Sequence, residues 1–208
     1  MIIFDNISHE ANASKRRVRV LDEASIVIDK PRVGLVSPDG AVTTTIVEMI
    51  AGIVRPNRGR IYRQGKVSWP IGRMTQFRSP LSGRDTVRFV ASLYRMDEGK
   101  ADRFVRQMTD FGHHYDEPMN KWPRLLSMKI ALACVLIPPF DVYLAEGSVV
   151  VPDDDFMEVW QAAFEERLAG KQFIMASDRK RYMEQFCDSA VGVRNGKFIV
   201  FDSVADAF

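Results

Sequence analysis

The sequence predicts an α/β domain that begins with an antiparallel β-sheet and carries a helical insert. Apolar residues alternate along residues 2–4 and 18–28, which is typical of antiparallel strands. A short buried-type strand, residues 33–36, leads through a glycine-containing turn into a helix, and this unit opens many phosphate-binding folds. Three helical segments separate that unit from the next buried strand. These observations favour one domain over residues 1–208, with the insert at about residues 78–137.

The remaining elements follow from apolar spacing and turn residues. Residues 43–51 carry apolar side chains at helical spacing, and Gly52 is expected to end that helix as its C-cap. The pair Asn195-Gly196 predicts a hairpin turn. The other predicted helices are residues 85–94, 100–111, 125–136, 153–168 and 179–186, and the other predicted strands are residues 59–62, 66–69, 141–145, 172–176, 190–193 and 197–201.

Composition and charge exclude several classes of protein. The formal net charge of +2 is too small to argue for nucleic-acid binding. The two cysteines, Cys134 and Cys187, suggest neither a disulfide framework nor a zinc site. The most apolar stretch, residues 130–140, is about half of the ~20 residues that a membrane span needs. We therefore expect a cytoplasmic protein that binds no nucleic acid, does not insert into a membrane directly and reaches the inner membrane through partner subunits.

Five segments spread along the chain have a wording shared with a known family. They are VSWPIG (67–72), LSGRDTVRFVASLY (81–94), YDEPM (115–119), FDVYLAE (140–146) and VRNGKFIVFD (193–202). Read in this order, the chain resembles the ATP-binding subunits of ABC transporters that export capsular polysaccharides and O-antigens. The resemblance runs nearly end to end and implies a P-loop NTPase-like ABC ATPase domain with an N-terminal antiparallel β-subdomain and an inserted helical lobe.

The phosphate loop of such proteins is degenerate here. It normally reads G-x-x-x-x-G-K-[ST], because backbone N–H groups close around the phosphates and a lysine reaches the β/γ oxygens. The matching stretch is SPDGAVTTT, in which Ser37 and Val42 replace glycines and Thr43 replaces the lysine. We expect the branched Val42 to crowd a phosphate, and loss of the charged contact to cost ~1.5–3 kcal/mol. The residues predicted to retain weak cofactor binding, if any, are Asp39, Gly40, Ala41, Val42, Thr43, Thr44 and Thr45.

The resemblance also assigns the metal and general-base positions. The metal-coordinating aspartate falls on Glu146, which together with Thr44 could hold a residual Mg²⁺ ion. The general-base glutamate falls on Gly147, which can accept no proton, a typical loss of ~10²–10⁴ in rate.

The other functional positions of the family are replaced as well, apart from the dimer-loop aspartate, Asp153. The replacements are Ala11 for the adenine-stacking aromatic, Arg78 for the γ-phosphate-sensing glutamine, residues 123–126 for the signature and Asp178 for the switch histidine. Arg78, Arg124 and Lys129 are the cations that could still contact a phosphate from another direction.

These replacements imply a pseudo-ATPase that turns over no ATP and for which no cofactor is expected, with ATP and Mg²⁺ bound weakly at most. The first hypothesis is an accessory or regulatory subunit that docks on the transmembrane subunit of a polysaccharide ABC exporter, or on an ATPase paralogue. A homodimer is also open. In this family residues 69–94 face the transmembrane subunit. The alternatives are an inefficient but genuine ATP-binding subunit, and a vacated cleft that binds a sugar, an anion or a nucleotide-sugar.

One further motif suggests a metal site. His113-His114 are followed closely by Asp116 and Glu117. Adjacent side chains rarely converge on one ion, and the stretch lies between predicted helices, so the sequence favours a plain loop.

Overall fold

Two β-sheets organise the first of two units into which the chain divides. The computed structural model describes residues 1–13, 16–72 and 80–208; Arg78 lies outside the described residues. The first unit comprises Met1–Gly72, Phe140–Val149 and Gly170–Phe208, and the second comprises Arg73–Pro139 and Val150–Ala169. The assignment of residues 1–208 to a single domain stays a prediction.

The smaller sheet is the antiparallel one that the N-terminal alternation predicts. Its strands are β1 (Ile2–Ala13), β2 (Arg16–Ile28) and β4 (Arg58–Arg63), in the order β2-β1-β4. Ile2 and Phe4 alternate along β1 and are both almost fully buried. One face of this sheet therefore contributes to the hydrophobic core of the first unit.

The larger sheet has six strands in the order β5-β6-β7-β3-β8-β9. The strands are β3 (Arg32–Val36), β5 (Val67–Ile71), β6 (Val142–Glu146), β7 (Gln172–Ala176), β8 (Ser189–Arg194) and β9 (Lys197–Phe201). All neighbours run parallel except the β8–β9 hairpin, where Asn195 and Gly196 both have positive φ, as expected for a two-residue turn. Strands β6 and β7 are buried and almost wholly apolar, the usual character of central parallel strands.

Helix α1 (Gly40–Ala51) follows β3 and supplies much of the core of the first unit. Its residues Ile46, Val47 and Ile50 are fully buried. Gly52 ends the helix with φ 79°, as predicted. The helix starts three residues before the predicted position. Helix α6 (Lys180–Glu184) is shorter than the predicted 179–186.

The second unit is helical. It contains α2 (Gly83–Leu93), α3 (Glu98–Met108), α4 (Arg124–Val135) and α5 (Asp154–Leu168). These helices confirm the predicted ones, with ends shifted by at most three residues. Among the residues that the structure describes, no helix combines the length and hydropathy that a membrane span would require.

Candidate functional site

The carboxyl ends of β3, β6 and β7 meet at one edge of the larger sheet. Leu35 and Glu146 both pair with Ala176, so the segments that follow the three strands leave the sheet side by side. In parallel α/β sheets, ligands bind in the crevice outside this edge. The predicted site residues of the first unit, in the turn after β3 and at the end of β6, therefore lie where a ligand site is expected.

The segment that matches a phosphate loop is mostly helical. Helix α1 begins at Gly40, and the Asp39 carboxylate accepts a hydrogen bond from the Ala41 N–H at 2.9 Å. Asp39 is thus the N-cap, a position at which aspartate is strongly preferred because it satisfies an otherwise unpaired N–H group. The Val42 N–H donates to the Asp39 carbonyl at 3.0 Å. Two N–H groups that a phosphate loop would offer to a ligand are therefore bonded within the chain.

The Val42 side chain does not face a ligand, as the resemblance to a phosphate loop predicts, but points into the protein. Its side chain is 6% exposed and belongs to the hydrophobic core, among the buried residues of α1 and the larger sheet. The prediction that this branched side chain crowds a phosphate is therefore wrong. Residue 42 falls in the first turn of α1, where helical geometry directs the side chain to the core.

The three consecutive threonines each use their hydroxyl within the chain. Thr43 Oγ1 donates to the Gly40 carbonyl at 3.0 Å, and Thr45 Oγ1 donates to the Ala41 carbonyl at 2.7 Å. Thr44 Oγ1 donates to Glu146 Oε1 at 2.5 Å. Thr44 is the member of the three whose hydroxyl meets the end of β6.

Thr44 and Glu146 provide the kind of oxygen atoms that Mg²⁺ prefers, a hydroxyl and a carboxylate. The structure brings these atoms together, and a residual metal site formed by them stays a prediction. At 2.5 Å they are closer than the ~3.0 Å that separates neighbouring ligands at the ~2.1 Å Mg–O distance of octahedral Mg²⁺. A small separation of the two side chains would let them hold the ion. The turn after β3, in contrast, does not fit a triphosphate as a phosphate loop would, because its Ala41 and Val42 N–H groups are already bonded to Asp39.

Gly147, at the general-base position, has a backbone conformation unsuited to a glutamate. Its φ is 75°, in the left-handed region that L residues rarely adopt. Its N–H donates to the Ala176 carbonyl at 2.8 Å, which anchors this turn to the end of β7. The position has thus lost both the carboxylate and the backbone geometry that would readily accommodate one.

The residues after Gly147 are tied to the segment after β7. Arg179 Nη1 donates to Ser148 Oγ at 3.1 Å, and the Val149 N–H donates to the Tyr182 hydroxyl at 2.8 Å. Burial raises the pKa of Tyr182 above its ordinary value. Asp178, at the switch-histidine position, is exposed. Neither hydrogen bond is predictable from the sequence, because donor and acceptor lie more than 30 residues apart along the chain in each.

The signature position lies in the second unit and starts a helix without a side-chain cap. Pro123 is the N-cap residue of α4 and makes no capping hydrogen bond. Within the same helix, Lys129 is 8% exposed, and its ammonium lies 2.5 Å from the Asp153 carboxylate and 3.2 Å from Thr109 Oγ1. The Lys129 side chain is therefore engaged inside the second unit, contrary to the expectation that it could reach a phosphate.

Asp153 is the N-cap of α5, where its carboxylate accepts from the Phe156 N–H at 2.9 Å. The hydrogen bond from Lys129, followed by that from Phe156, lowers the pKa of this carboxyl. Capping and ion pairing thus account for the contacts of the Asp153 carboxylate.

The adenine-stacking position offers no aromatic ring. Ala11 lies in β1 opposite Val18 and packs, partly buried, against the core of the first unit. A methyl group there forfeits the ~1–3 kcal/mol that base stacking on an aromatic side chain can supply.

Comparison with solved structures defines the class of the fold. A dimeric post-hydrolysis state of the ATP-binding cassette MJ0796 bound to ADP and Pi superposes with a TM-score of 0.75 at 14% identity, over 98% of this chain and 99% of that one. The ATP-binding subunit of an ABC transporter superposes with a TM-score of 0.73 at 18% identity, over 99% of this chain and 91% of that one. The chain folds as an ABC ATPase cassette.

Sequence comparison makes the assignment more specific. BexA, an ATP-binding protein of Haemophilus influenzae, is 27% identical, with 100% of this chain and 96% of the relative aligned. The capsule polysaccharide export ATP-binding protein CtrD of Neisseria meningitidis is 25% identical over 100% and 97%, and the polysialic acid transport ATP-binding protein KpsT of Escherichia coli is 29% identical over 96% and 90%. No family model matches the chain. These relatives are ATP-binding proteins, of which CtrD is named for capsule polysaccharide export and KpsT for polysialic acid transport, in agreement with the predicted resemblance.

Proposed function

We propose that the chain is a catalytically degenerate ABC subunit that acts as an accessory or regulatory partner in polysaccharide export. The observation that carries the proposal is the Asp39 carboxylate, which caps α1 where a phosphate loop would present free N–H groups. A triphosphate would have to displace this carboxylate to reach the amides of the first turn.

Electrostatics favours the same conclusion. The N-terminus of a helix stabilises one nearby anion through its unpaired N–H groups and its dipole. Asp39 supplies that anion from within the chain. The lysine position holds Thr43, whose hydroxyl is bonded to Gly40. An incoming triphosphate would therefore meet a like charge and find no ammonium group from this segment.

Hydrolysis would lack its proton acceptor even if ATP were bound. A positioned general base contributes ~10²–10⁴ to the rate, and Gly147 has no side chain to act as one. Steady-state release of phosphate from MgATP by the purified chain tests this point. We expect a rate equal to that of the Glu146→Gln variant; a clearly higher rate in the unsubstituted chain would contradict the proposal.

An exposed apolar stripe supports docking on a partner. Phe89 and Leu93 lie one turn apart on the outer face of α2 and are 60% and 62% exposed. Leu81 and Met96, at the two ends of this helix, are also exposed. Exposed apolar residues grouped in this way mark interaction surfaces. Leu81, Phe89 and Leu93 lie within residues 69–94, the segment that the family resemblance implies to face the transmembrane subunit.

Co-purification with a transmembrane export subunit tests the docking role. Phe89→Asp combined with Leu93→Asp should abolish co-purification, because two buried apolar contacts would become unpaired charges. Val159→Asp, at an apolar residue of α5 that is 49% exposed, is the matched control and should leave binding unchanged. Equal binding by the Phe89→Asp/Leu93→Asp variant and the Val159→Asp control would show that this surface does not bind the partner. Repeating the experiment with an ATPase paralogue in place of the transmembrane subunit shows which of these two proposed partners the chain binds.

A second candidate, an inefficient but genuine ATP-binding subunit, is favoured by one observation. The Thr44 hydroxyl and the Glu146 carboxylate lie together as residual Mg²⁺ ligands would. This candidate requires MgATP turnover that Glu146→Gln reduces. Binding of a sugar, an anion or a nucleotide-sugar stays a prediction of the sequence.

A further inference from the structure

Three potential metal ligands converge on the surface of the second unit. His113, His114 and Glu117 each offer one ligand atom, and these atoms all lie within 4.8 Å of one another. His114 Nδ1 is 3.1 Å from Glu117 Oε2, and the two imidazole rings have their centroids 4.1 Å apart. From this geometry we infer that His113, His114 and Glu117 form a binding site for a zinc-type divalent cation.

A 3₁₀ turn explains why neighbouring residues converge. Residues Gly112–Asp116 form the turn, and the Glu117 N–H donates to the His114 carbonyl at 2.9 Å. Side chains three residues apart lie on the same side of a 3₁₀ helix, which places Glu117 beside His114. The backbone of this segment is therefore a 3₁₀ turn and not the plain loop that the sequence favours.

The turn is anchored on its opposite side. Tyr115 is 1% exposed, and its hydroxyl donates to Asp102 Oδ1 at 2.9 Å. Trp122 Nε1 donates to the Glu117 carbonyl at 3.0 Å. Gly112 enters the turn with φ 53°, and its N–H donates to the Asp110 carboxylate at 2.7 Å. Because the backbone is fixed on both sides of the histidines, little ordering is required to bring the ligands together.

The distances and the donor set suit zinc. At Zn–N and Zn–O distances of ~2.0–2.2 Å, tetrahedral ligand atoms lie about 3.3–3.6 Å apart. The His114–Glu117 separation of 3.1 Å is close to the lower end of this range. His113 is exposed, so its ring can rotate to close the remaining distance. Two imidazoles with one carboxylate match zinc better than Mg²⁺ or Ca²⁺, which prefer oxygen ligands alone.

The set leaves one coordination position open. Zinc with three protein ligands takes a fourth from water or from another molecule. The side chains of His114 and Glu117 are 27% and 46% exposed, so the fourth position is accessible from solvent. None of the three residues is used in the proposed function, so the site can be tested independently of it.

Calorimetric titration of ZnCl₂ into the untagged chain tests the inference. We expect one ion per chain, and a loss of affinity of at least tenfold in His113→Ala, His114→Ala and Glu117→Gln. The matched control is Asp116→Asn, which removes the adjacent carboxylate; this group lies outside the cluster and pairs with Arg84 at 2.6 Å. The control should bind zinc as the unsubstituted chain does. The visible spectrum of bound Co²⁺ gives a second readout, since its intensity reports the coordination number.

Three results would overturn the inference. They are the absence of saturable zinc binding, unchanged affinity in all three ligand variants, and an equal loss in Asp116→Asn and Glu117→Gln. The last result would mean that surface charge alone attracts the ion. Because the two histidines are exposed or half-buried, their substitution is not expected to unfold the chain.

Discussion

At the scale of single residues, substitution of two glycines of the candidate site can measure the cost of backbone strain apart from any effect of side-chain packing. Gly40 and Gly147 both have open space around a would-be Cβ atom, with nothing within 4 Å. Gly40 starts a helix, whereas Gly147 has φ 75°. Any difference between alanine substitutions at the two positions must therefore come from the backbone.

We expect Gly147→Ala to lower the free energy of unfolding by ~1–2 kcal/mol, the cost of a left-handed conformation for an L residue. Gly40→Ala should be neutral or should raise it by up to ~1 kcal/mol, because alanine favours the helix. Urea unfolding measures both values. Similar effects of the two substitutions would contradict the assigned φ of Gly147. A loss of stability in Gly147→Ala would also mean that Gly147→Glu strains the backbone, so that this substitution alone would not restore a well-placed general base.

Asp39 makes a second prediction at this scale. Asp39→Ala removes the N-cap of α1 and should lower the free energy of unfolding by ~1 kcal/mol, within the usual range of 0.5–2 kcal/mol. Asp39→Asn keeps an oxygen acceptor and should lose far less, since asparagine is an equally good N-cap. Urea unfolding again gives the comparison. If Asp39→Ala cost nothing, the carboxylate would not be holding the Ala41 N–H, and the proposed obstacle to phosphate would be lost.

At the scale of elements, the Lys129–Asp153 ion pair joins α4 to the start of α5 within the second unit. The hydrogen bond from Lys129 lowers the pKa of Asp153 from its ordinary value of 3.8. Folding therefore gains stability from this carboxylate above about pH 4, and that gain disappears as the pH falls through the lowered pKa of the folded state.

Lys129→Met should remove this gain while keeping a side chain of similar length in the buried position. The variant should be less stable than the unsubstituted chain at pH 7, and the difference should shrink as the pH falls below about 4. Urea unfolding at pH 7, 5, 4 and 3 follows the difference. Lys121→Met, at an exposed lysine, is the control and should show no such trend. A difference that does not change with pH would contradict the role of the ion pair.

The start of α1 shows what sequence reasoning could and could not predict at this scale. Apolar spacing placed the helix from residue 43, because Ile46, Val47 and Ile50 define its buried face. The additional first turn contains Val42, which lies four residues before Ile46 and continues the same apolar spacing. Asp39 is a second available signal, since aspartate directly before a helix is a common N-cap. The resemblance to a phosphate loop led the same residues to be interpreted as a loop.

At the scale of the whole molecule, the alternation in β1 and β2, the buried strands and the Asn195-Gly196 turn were enough to predict both sheets. These features are signals within short stretches of sequence, and the structure forms the strands and the turn that they predict. The Lys129–Asp153 pair, the Arg179–Ser148 hydrogen bond and the convergence of His113, His114 and Glu117 depend instead on side-chain geometry that spacing does not encode. The prediction for the Val42 side chain is wrong for a different reason, because the resemblance to a phosphate loop assigns this residue to a turn although its spacing from Ile46 fits the helix.

The central proposal is that the residues described by the structure form no working triphosphate site, and thermal melting with MgATP tests this most directly. A ligand at 100 times its Kd adds ~2.7 kcal/mol of stability. For a chain of 208 residues this corresponds to a rise in Tm of about 5–10 °C. We predict no rise beyond that given by MgCl₂ and salt of equal ionic strength, at millimolar MgATP. A rise of about 5 °C or more that Glu146→Gln or Thr44→Val reduces would contradict the account.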